Sequence, residues 1–89
     1  MSNRILIVDD EPDLASMMAD MLNDAGYTTR IFDNGREAIT EIHADPPDLL
    51  LLDVNMPGLD GFEVAALLKA DPGTAAIPII MVSAQDGRG

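Results

Sequence analysis

The stretch LLLLDVNMPGLDG, at residues 49–61, decides the fold of this chain. Four consecutive leucines predict a strand in the centre of a parallel sheet, covered on both faces. The strand ends at Asp53, and the Pro- and Gly-rich residues that follow predict a loop. An unpaired carboxylate beside a dry core is unfavourable, so Asp53 is expected to have a function. Asn55, Pro57, Gly58 and Gly61 are ordinary turn residues by chemistry alone.

Three more strands are predicted, at residues 4–8, 27–32 and 79–82. The first is rich in β-branched residues and runs directly into Asp9 and Asp10, which predicts a buried strand whose carboxyl end reaches the surface. The second strand is less apolar, which indicates an edge position. The last strand reads IIMV and is followed by Ser83.

Three helices are predicted between the strands, over roughly residues 12–25, 34–44 and 62–70. Pro12 suits a first helical turn, and Gly26 closes the first helix. Asn34 is the expected cap of the second helix. Helical spacing predicts that the buried stripe of the first helix consists of Leu14, Met17, Met18, Met21, Leu22 and Ala25.

Strand and helix alternate strictly, and short crossovers join strands only in parallel, so an α/β fold with helices on both sheet faces is predicted. A length of 89 residues fits one domain. The formal net charge of −11 would repel nucleic acid phosphates and anionic lipid, so neither is expected as a direct partner. The chain has no Cys, which excludes disulfides and thiolate metal sites. It contains no signal-peptide core or membrane span, so a cytoplasmic location is expected.

The carboxyl ends of the strands form the functional crevice of an open parallel sheet. Asp9, Asp10, Asp53 and Ser83 are expected to meet there. Three carboxylates close together raise one another's pKa unless a cation is bound. Oxygen ligands without His or Cys select a hard ion, and Mg²⁺ suits a few carboxylates completed by water. An aspartate can then act as the nucleophile of phosphoryl transfer.

Simpler interpretations of the same residues stay open at this point. Asp9 and Asp10 are also favourable at the amino terminus of a helix. A serine at a strand end, such as Ser83, is most often a satisfied hydroxyl. His43 lies near the end of the second helix without another His or Cys, so we expect a solvated side chain with no chemistry.

Three segments carry a family resemblance: ILIVDDEP at residues 5–12, LLLLDVNMPGLDG at 49–61 and IPIIMVSA at 77–84. In their order and spacing they resemble the signatures of response regulator receiver domains, the phosphoacceptors of two-component systems. The resemblance implies a flavodoxin-like sheet with strand order 2-1-3-4. It also implies that Asp53 is phosphorylated and that Ser83 is the switch hydroxyl. Mg²⁺ would be held by the Asp9, Asp10 and Asp53 carboxylates and the backbone carbonyl of Asn55, and the phosphodonor would be a histidine kinase or phosphotransfer protein.

The chain departs from the family pattern at its carboxyl end. Receiver domains have a Lys at the end of a fifth strand, whereas the only Lys here is Lys69, on the third helix. The fourth helix, fifth strand and fifth helix are also missing, so residues 1–89 are expected to form a receiver domain that is incomplete at its carboxyl end. Such a chain is either a fragment of a longer protein with an output domain or a naturally shortened receiver. Residues 86–89 weakly resemble receivers joined to cyclic-di-GMP synthase domains, which slightly favours the fragment.

The first hypothesis is therefore a signalling module, not an enzyme with an external substrate. A second is a non-switching interaction or dimerisation fragment, which would form a homo-oligomer if 89 residues are the full chain. A third is a phosphatase similar to the haloacid dehalogenases, which also use a strand-end aspartate and Mg²⁺. We rank it last, because those enzymes need a second acid two residues after the nucleophile, and position 55 is Asn.

Overall fold

The computed structural model describes residues 3–83. Strands and helices alternate strictly over this part of the chain, as predicted. In chain order they are β1 (Arg4–Val8), α1 (Pro12–Asp24), β2 (Thr28–Phe32), α2 (Gly35–Ala44), β3 (Leu49–Asp53), α3 (Gly61–Ala70) and β4 (Ile79–Val82). The predicted elements are all present, with β2 starting one residue later and α3 one residue earlier than expected.

The four strands form one parallel sheet in the order β2-β1-β3-β4, which confirms the predicted order and the edge position of β2. Val8, near the carboxyl end of β1, is aligned with Phe32 on one side and with Leu52 on the other. Asp53 is aligned with Val82 of β4. The strands therefore end together along one edge of the sheet.

The core lies on both faces of this sheet. On one face, residues of β1 and β3 pack under α2 and α3; this cluster includes Leu6, Val8, Leu50, Leu52, Ala38, Ile42, Val64 and Leu68. On the other face, Ile5 and Ile7 pack against Ala15 and Ala19 of α1. Because side chains along β1 and β3 alternate between the two faces, they contribute to two separate core layers, as expected for central strands of an α/β sheet.

The predicted buried stripe of α1 is wrong in part. Ala15 and Ala19 are the buried residues of this helix, while Met17 and Met21 are 53% and 65% exposed and Ala25 is exposed as well. Met18 and Leu22 pack at the margin of the buried cluster, as predicted. The small alanine side chains let the helix lie close to β1, and this close approach fixes which face turns inward.

The carboxyl end of α1 explains why β2 starts one residue later than predicted. The Tyr27 N–H donates to the Leu22 carbonyl, and the Gly26 N–H donates to the Asn23 carbonyl, both at 3.0 Å. This pattern is a Schellman motif, with Gly26 at a φ of 102°. Because the Tyr27 N–H completes α1 in this way, β2 begins at Thr28.

The amino termini of α2 and α3 are both capped by side chains. The side-chain Oδ1 of Asn34 accepts from the Glu37 N–H at 2.9 Å, which confirms the predicted cap. Asp60 and Glu63 form a reciprocal capping box at the start of α3. Among residues 3–83, no helix is long and apolar enough to cross a lipid bilayer.

Candidate functional site

Three carboxylates meet at the edge of the sheet where the strands end. Asp9 and Asp10 follow β1, and Asp53 is the last residue of β3. One carboxylate oxygen from each residue lies within 4.8 Å of those from the other two. The prediction that these residues meet is therefore confirmed, and the cause is the parallel alignment of β1 with β3.

Two members of this acidic cluster are buried. Asp9 is 2% exposed and Asp53 is 4% exposed, whereas Asp10 lies at the surface. Asp9 Oδ1 accepts from the Glu11 N–H at 2.9 Å, and Asp53 Oδ1 accepts from the Asn55 N–H at 3.3 Å. Asp9 Oδ2 is buried and has no hydrogen-bond partner among the described residues.

Burial raises the pKa of Asp53 from its ordinary value to about 6, and the negative charge of Asp9 adds to this effect. The Asn55 N–H opposes the rise in pKa, because it donates to the ionised carboxylate, and Asp10 adds a smaller increase. At neutral pH Asp53 remains mostly ionised. A carboxylate in this state keeps the electron pair that a nucleophile needs.

The donor set fits a hard divalent cation. It consists of carboxylate oxygens alone, and the buried Asp9 Oδ2 is an acceptor that the described protein atoms leave unsatisfied. A cation would satisfy this oxygen and offset the repulsion among the three negative charges. Asp9, Asp10 and Asp53 would hold it, and few-carboxylate sites completed by water suit Mg²⁺. Asn55 lies on the loop directly after β3, where its backbone carbonyl was predicted as a further ligand.

Ser83 directly follows β4, the strand next to the one that ends at Asp53. It follows Val82, which is aligned with Asp53, and the Val54 N–H donates to the Val82 carbonyl at 3.0 Å. Ser83 is exposed at the same edge of the sheet as the three carboxylates. Ser83 and Asp53 therefore lie at the ends of two adjacent strands, as the sequence predicts.

Gly61, an ordinary turn residue by its chemistry alone, also belongs to the site. An added Cβ at this position would lie 2.1 Å from the carbonyl oxygen of Asp53 and 2.9 Å from Val54 Cα. The first residue of α3 therefore rests on the backbone of the central aspartate. No local sequence pattern separates Gly61 from an ordinary turn glycine, so only the packing of α3 reveals this close approach.

His43 lies away from the acidic cluster, near the carboxyl end of α2. Its Nδ1 is 3.0 Å from the Ile39 carbonyl oxygen and its Nε2 is 2.7 Å from a carboxylate oxygen of Asp71. Hydrogen bonds to Asp71 and then to Ile39 raise the pKa of His43. The imidazole is exposed, as predicted, but it also links α2 to the residue that ends α3.

Comparison with known proteins gives consistent matches. The family model described as response regulator receiver domain matches residues 5–88. The chain is 41% identical over 85 residues to the DNA-binding response regulator MtrA of Mycolicibacterium smegmatis, covering 96% of the chain and 36% of MtrA. It is 43% identical over 89 residues to the response regulator PleD of Caulobacter vibrioides, covering 100% of the chain and 20% of PleD.

Solved structures agree with these matches. The N-terminal domain of a response regulator receiver protein from Methanoculleus marisnigri superposes with a TM-score of 0.88 at 39% identity, covering 92% of this chain and 67% of that one. The Vibrio cholerae chemotaxis protein CheY4 gives a TM-score of 0.85 at 32% identity, covering 91% of this chain and 68% of that one. The chain thus spans about a third of MtrA and a fifth of PleD.

Proposed function

Because the chain belongs to the response regulator receiver domain family, we propose that it accepts a phosphoryl group on Asp53 in a Mg²⁺-dependent reaction. The phosphodonor is a phosphorylated histidine of a sensor kinase or phosphotransfer protein. The observation that supports this proposal most directly is the cluster of three carboxylates, with one oxygen of each within 4.8 Å of the others, at the end of the central strand. A cytoplasmic location, expected from the sequence, is part of the proposal.

The chemistry at Asp53 is a displacement at phosphorus. A carboxylate oxygen of ionised Asp53 attacks the phosphorus atom, a new P–O bond forms and the P–N bond to the donor imidazole breaks. The imidazole leaves with the electron pair and takes up a proton from water. The product on Asp53 is an acyl phosphate. A bound Mg²⁺ supplies charge neutralisation for the transferred group.

Four other residues have specific roles in this proposal. Asp9 and Asp10 hold the cation with Asp53, and the backbone carbonyl of Asn55 is a further ligand from the adjoining loop. Ser83, on the neighbouring strand end, donates its hydroxyl to a phosphoryl oxygen and acts as the switch residue. Phosphorylation adds negative charge and acceptor oxygens at this edge, which is sufficient to bias a two-state element.

The direct test is phosphorylation of the purified chain with a small acyl phosphate, and with a phosphorylated histidine kinase, in the presence of Mg²⁺. Intact-mass measurement should show addition of one phosphoryl group, and chelation of Mg²⁺ should abolish it. Asp53→Asn should remove the modification, while Asp13→Asn, on the exposed first turn of α1, should not. Phosphorylation that persists in Asp53→Asn would refute the assignment.

Lys69 does not take the place of the lysine that receiver domains carry after a fifth strand. Its Nζ donates to the Ala75 carbonyl at 3.2 Å, at the carboxyl end of α3. We propose that residues 1–89 form a receiver domain that is incomplete at its carboxyl end and belongs to a longer chain with an output domain. For the 89 residues alone, the phosphoryl mimic beryllofluoride with Mg²⁺ should bind weakly and shift Ser83 little. Tight binding with a full shift in an NMR titration would contradict this.

A second candidate function is self-association of these residues, as a homo-oligomer if they are the full chain. Ile80 is 51% exposed and is aligned with Leu51, on the sheet face that carries α1. Met21 lies beside Leu51 and is also exposed. Contact with another copy would cover this apolar area. Analytical ultracentrifugation of the 89-residue chain tests the idea, and a monodisperse monomer would count against it.

The remaining candidate is phosphatase activity of the haloacid dehalogenase type. It has little support, because position 55 is Asn and the other two carboxylates of the cluster follow a different strand. Turnover of a general phosphate ester by the purified chain would be required to revive it.

A further inference from the structure

We propose that Gly61 is a positioning residue for Asp53, because the start of α3 rests directly on the backbone that carries the Asp53 carboxylate. This inference rests on the proposed function, since it concerns how Asp53 is held for cation binding and phosphoryl transfer. Gly61 has no side chain with which to bind the cation or the phosphoryl group. It acts by leaving the space that the backbone of Asp53 and Val54 occupies.

The contact is between backbone atoms, so side-chain rotation cannot relieve it. A Cβ on Gly61 would lie 2.1 Å from the carbonyl oxygen of Asp53 and 2.9 Å from its carbonyl carbon. The Gly61 N–H also donates to the Val54 carbonyl at 3.1 Å, which fixes the first residue of α3 against the strand end. Any larger residue must push α3 and the end of β3 about 1 Å apart.

The start of α3 is anchored on its other side as well. The capping box between Asp60 and Glu63 fixes the first turn, and Val64 and Leu68 are fully buried in the core under α3. Because this packing limits how far α3 can move away, part of a clash at Gly61 is transmitted to the end of β3, which carries Asp53. The Asp53 carboxylate would then move relative to Asp9 and Asp10, which follow a different strand.

The matched control is Gly35, the first residue of α2. It is buried like Gly61, and a Cβ there would lie 2.6 Å from a Val64 methyl group and 3.1 Å from the Leu59 carbonyl oxygen. Gly35→Ala therefore also crowds the first residue of a buried helix end, mainly against a side-chain methyl group, without touching the backbone of Asp53. A loss that is merely structural should appear in both variants.

The experiment compares the wild-type chain with Gly61→Ala and Gly35→Ala at a temperature where circular dichroism shows all three folded. Mg²⁺ is titrated and followed by ¹⁵N NMR, and phosphorylation by acetyl phosphate is timed by intact mass. Gly61→Ala should raise the half-saturating Mg²⁺ concentration and slow phosphorylation by roughly 10- to 100-fold, since misplacement by about 1 Å has effects of this order. Gly35→Ala should match the wild type in both measurements.

Wild-type behaviour of Gly61→Ala, or equal losses in the two glycine variants, would overturn the inference. If the wild type itself neither binds Mg²⁺ nor becomes phosphorylated, the proposed function fails, and the inference is then decided by metal-free spectra. Gly61→Ala should shift the Val54 and Asn55 amide signals, and Gly35→Ala should not. If Gly61→Ala does not fold, Asp60→Ala decides: it loosens the first turn of α3 and adds no atoms near Asp53. It should also weaken Mg²⁺ binding, and an unchanged Mg²⁺ titration would overturn the inference.

Discussion

Asp9 and Asp53 stand at the ends of adjacent strands, both buried, with carboxylate oxygens within 4.8 Å of each other. Two buried negative charges this close repel, and the pKa of Asp53 is raised to about 6 by burial and then by Asp9. This repulsion destabilises the fold when no cation is bound, and a bound cation would relieve it. Substitutions at these two residues should therefore change the pKa of Asp53 and the free energy of unfolding.

Asp9→Asn should lower the pKa of Asp53, because it removes the neighbouring charge and keeps the size of the side chain. The pKa should fall below about 6 but stay above 3.8, since burial is the larger cause of the rise. A ¹³C NMR titration of the Asp53 carboxyl carbon measures this directly. Asp13→Asn, on the exposed first turn of α1, is the control and should leave the pKa of Asp53 unchanged.

Asp53→Asn should stabilise the fold at neutral pH in the absence of divalent cations. The pKa of Asp53 is raised in the folded state, so folding favours the protonated carboxyl, and stability is fully present below the unfolded value of 3.8. It is lost as the pH rises towards the folded value of about 6. Urea denaturation at about pH 7.5 should show a gain of about 1–3 kcal/mol, and none at about pH 3.5. An equal gain at both pH values would contradict the assignment.

The single His of the chain gives a second pH-dependent signal, far from the acidic cluster. Both partners of the His43 ring, the Ile39 carbonyl and the Asp71 carboxylate, are acceptors, so the doubly protonated ring satisfies both. NMR titration should give His43 a pKa above 6.5, and Asp71→Asn should lower it. The contribution of this pair to stability is present below 6.5 and is lost as the pH rises through the raised pKa. A pKa unaffected by Asp71→Asn would show that the contact is absent in solution.

The fold and the acidic cluster were readable from the sequence because both depend on strong local patterns. Four leucines followed by Asp53 mark a central strand and its end, and parallel strands bring their carboxyl ends together. The Asn34 cap was predicted for the same reason, since its side chain bonds only three residues ahead. The capping box of α3 could also have been found, because Asp60 and Glu63 have the required spacing.

Two other features depend on distances between helices and strands, which local sequence patterns do not predict. Gly61 has the sequence context of an ordinary loop glycine, and only the packing of α3 on Asp53 shows why a side chain is excluded. The orientation of α1 was equally ambiguous, because methionines occur on several sides of the helix. Helical spacing alone does not show that Ala15 and Ala19 lie closest to the sheet. Contact distance, not hydrophobicity, decides between such faces.

Two substitutions test whether the buried face of α1 is the observed one, with Ala15 and Ala19, or the predicted one, with the methionines. Met21 is 65% exposed, so Met21→Gln should change the free energy of unfolding by less than about 0.5 kcal/mol. Ala15 is fully buried against β1, so Ala15→Leu should overpack the core and destabilise the fold by about 1–3 kcal/mol. Urea denaturation of both variants, at a low protein concentration that suppresses self-association, gives the comparison. If Met21→Gln were the more damaging change, the helix would be rotated towards the stripe of methionines, and Ala15 would lose its place in the core.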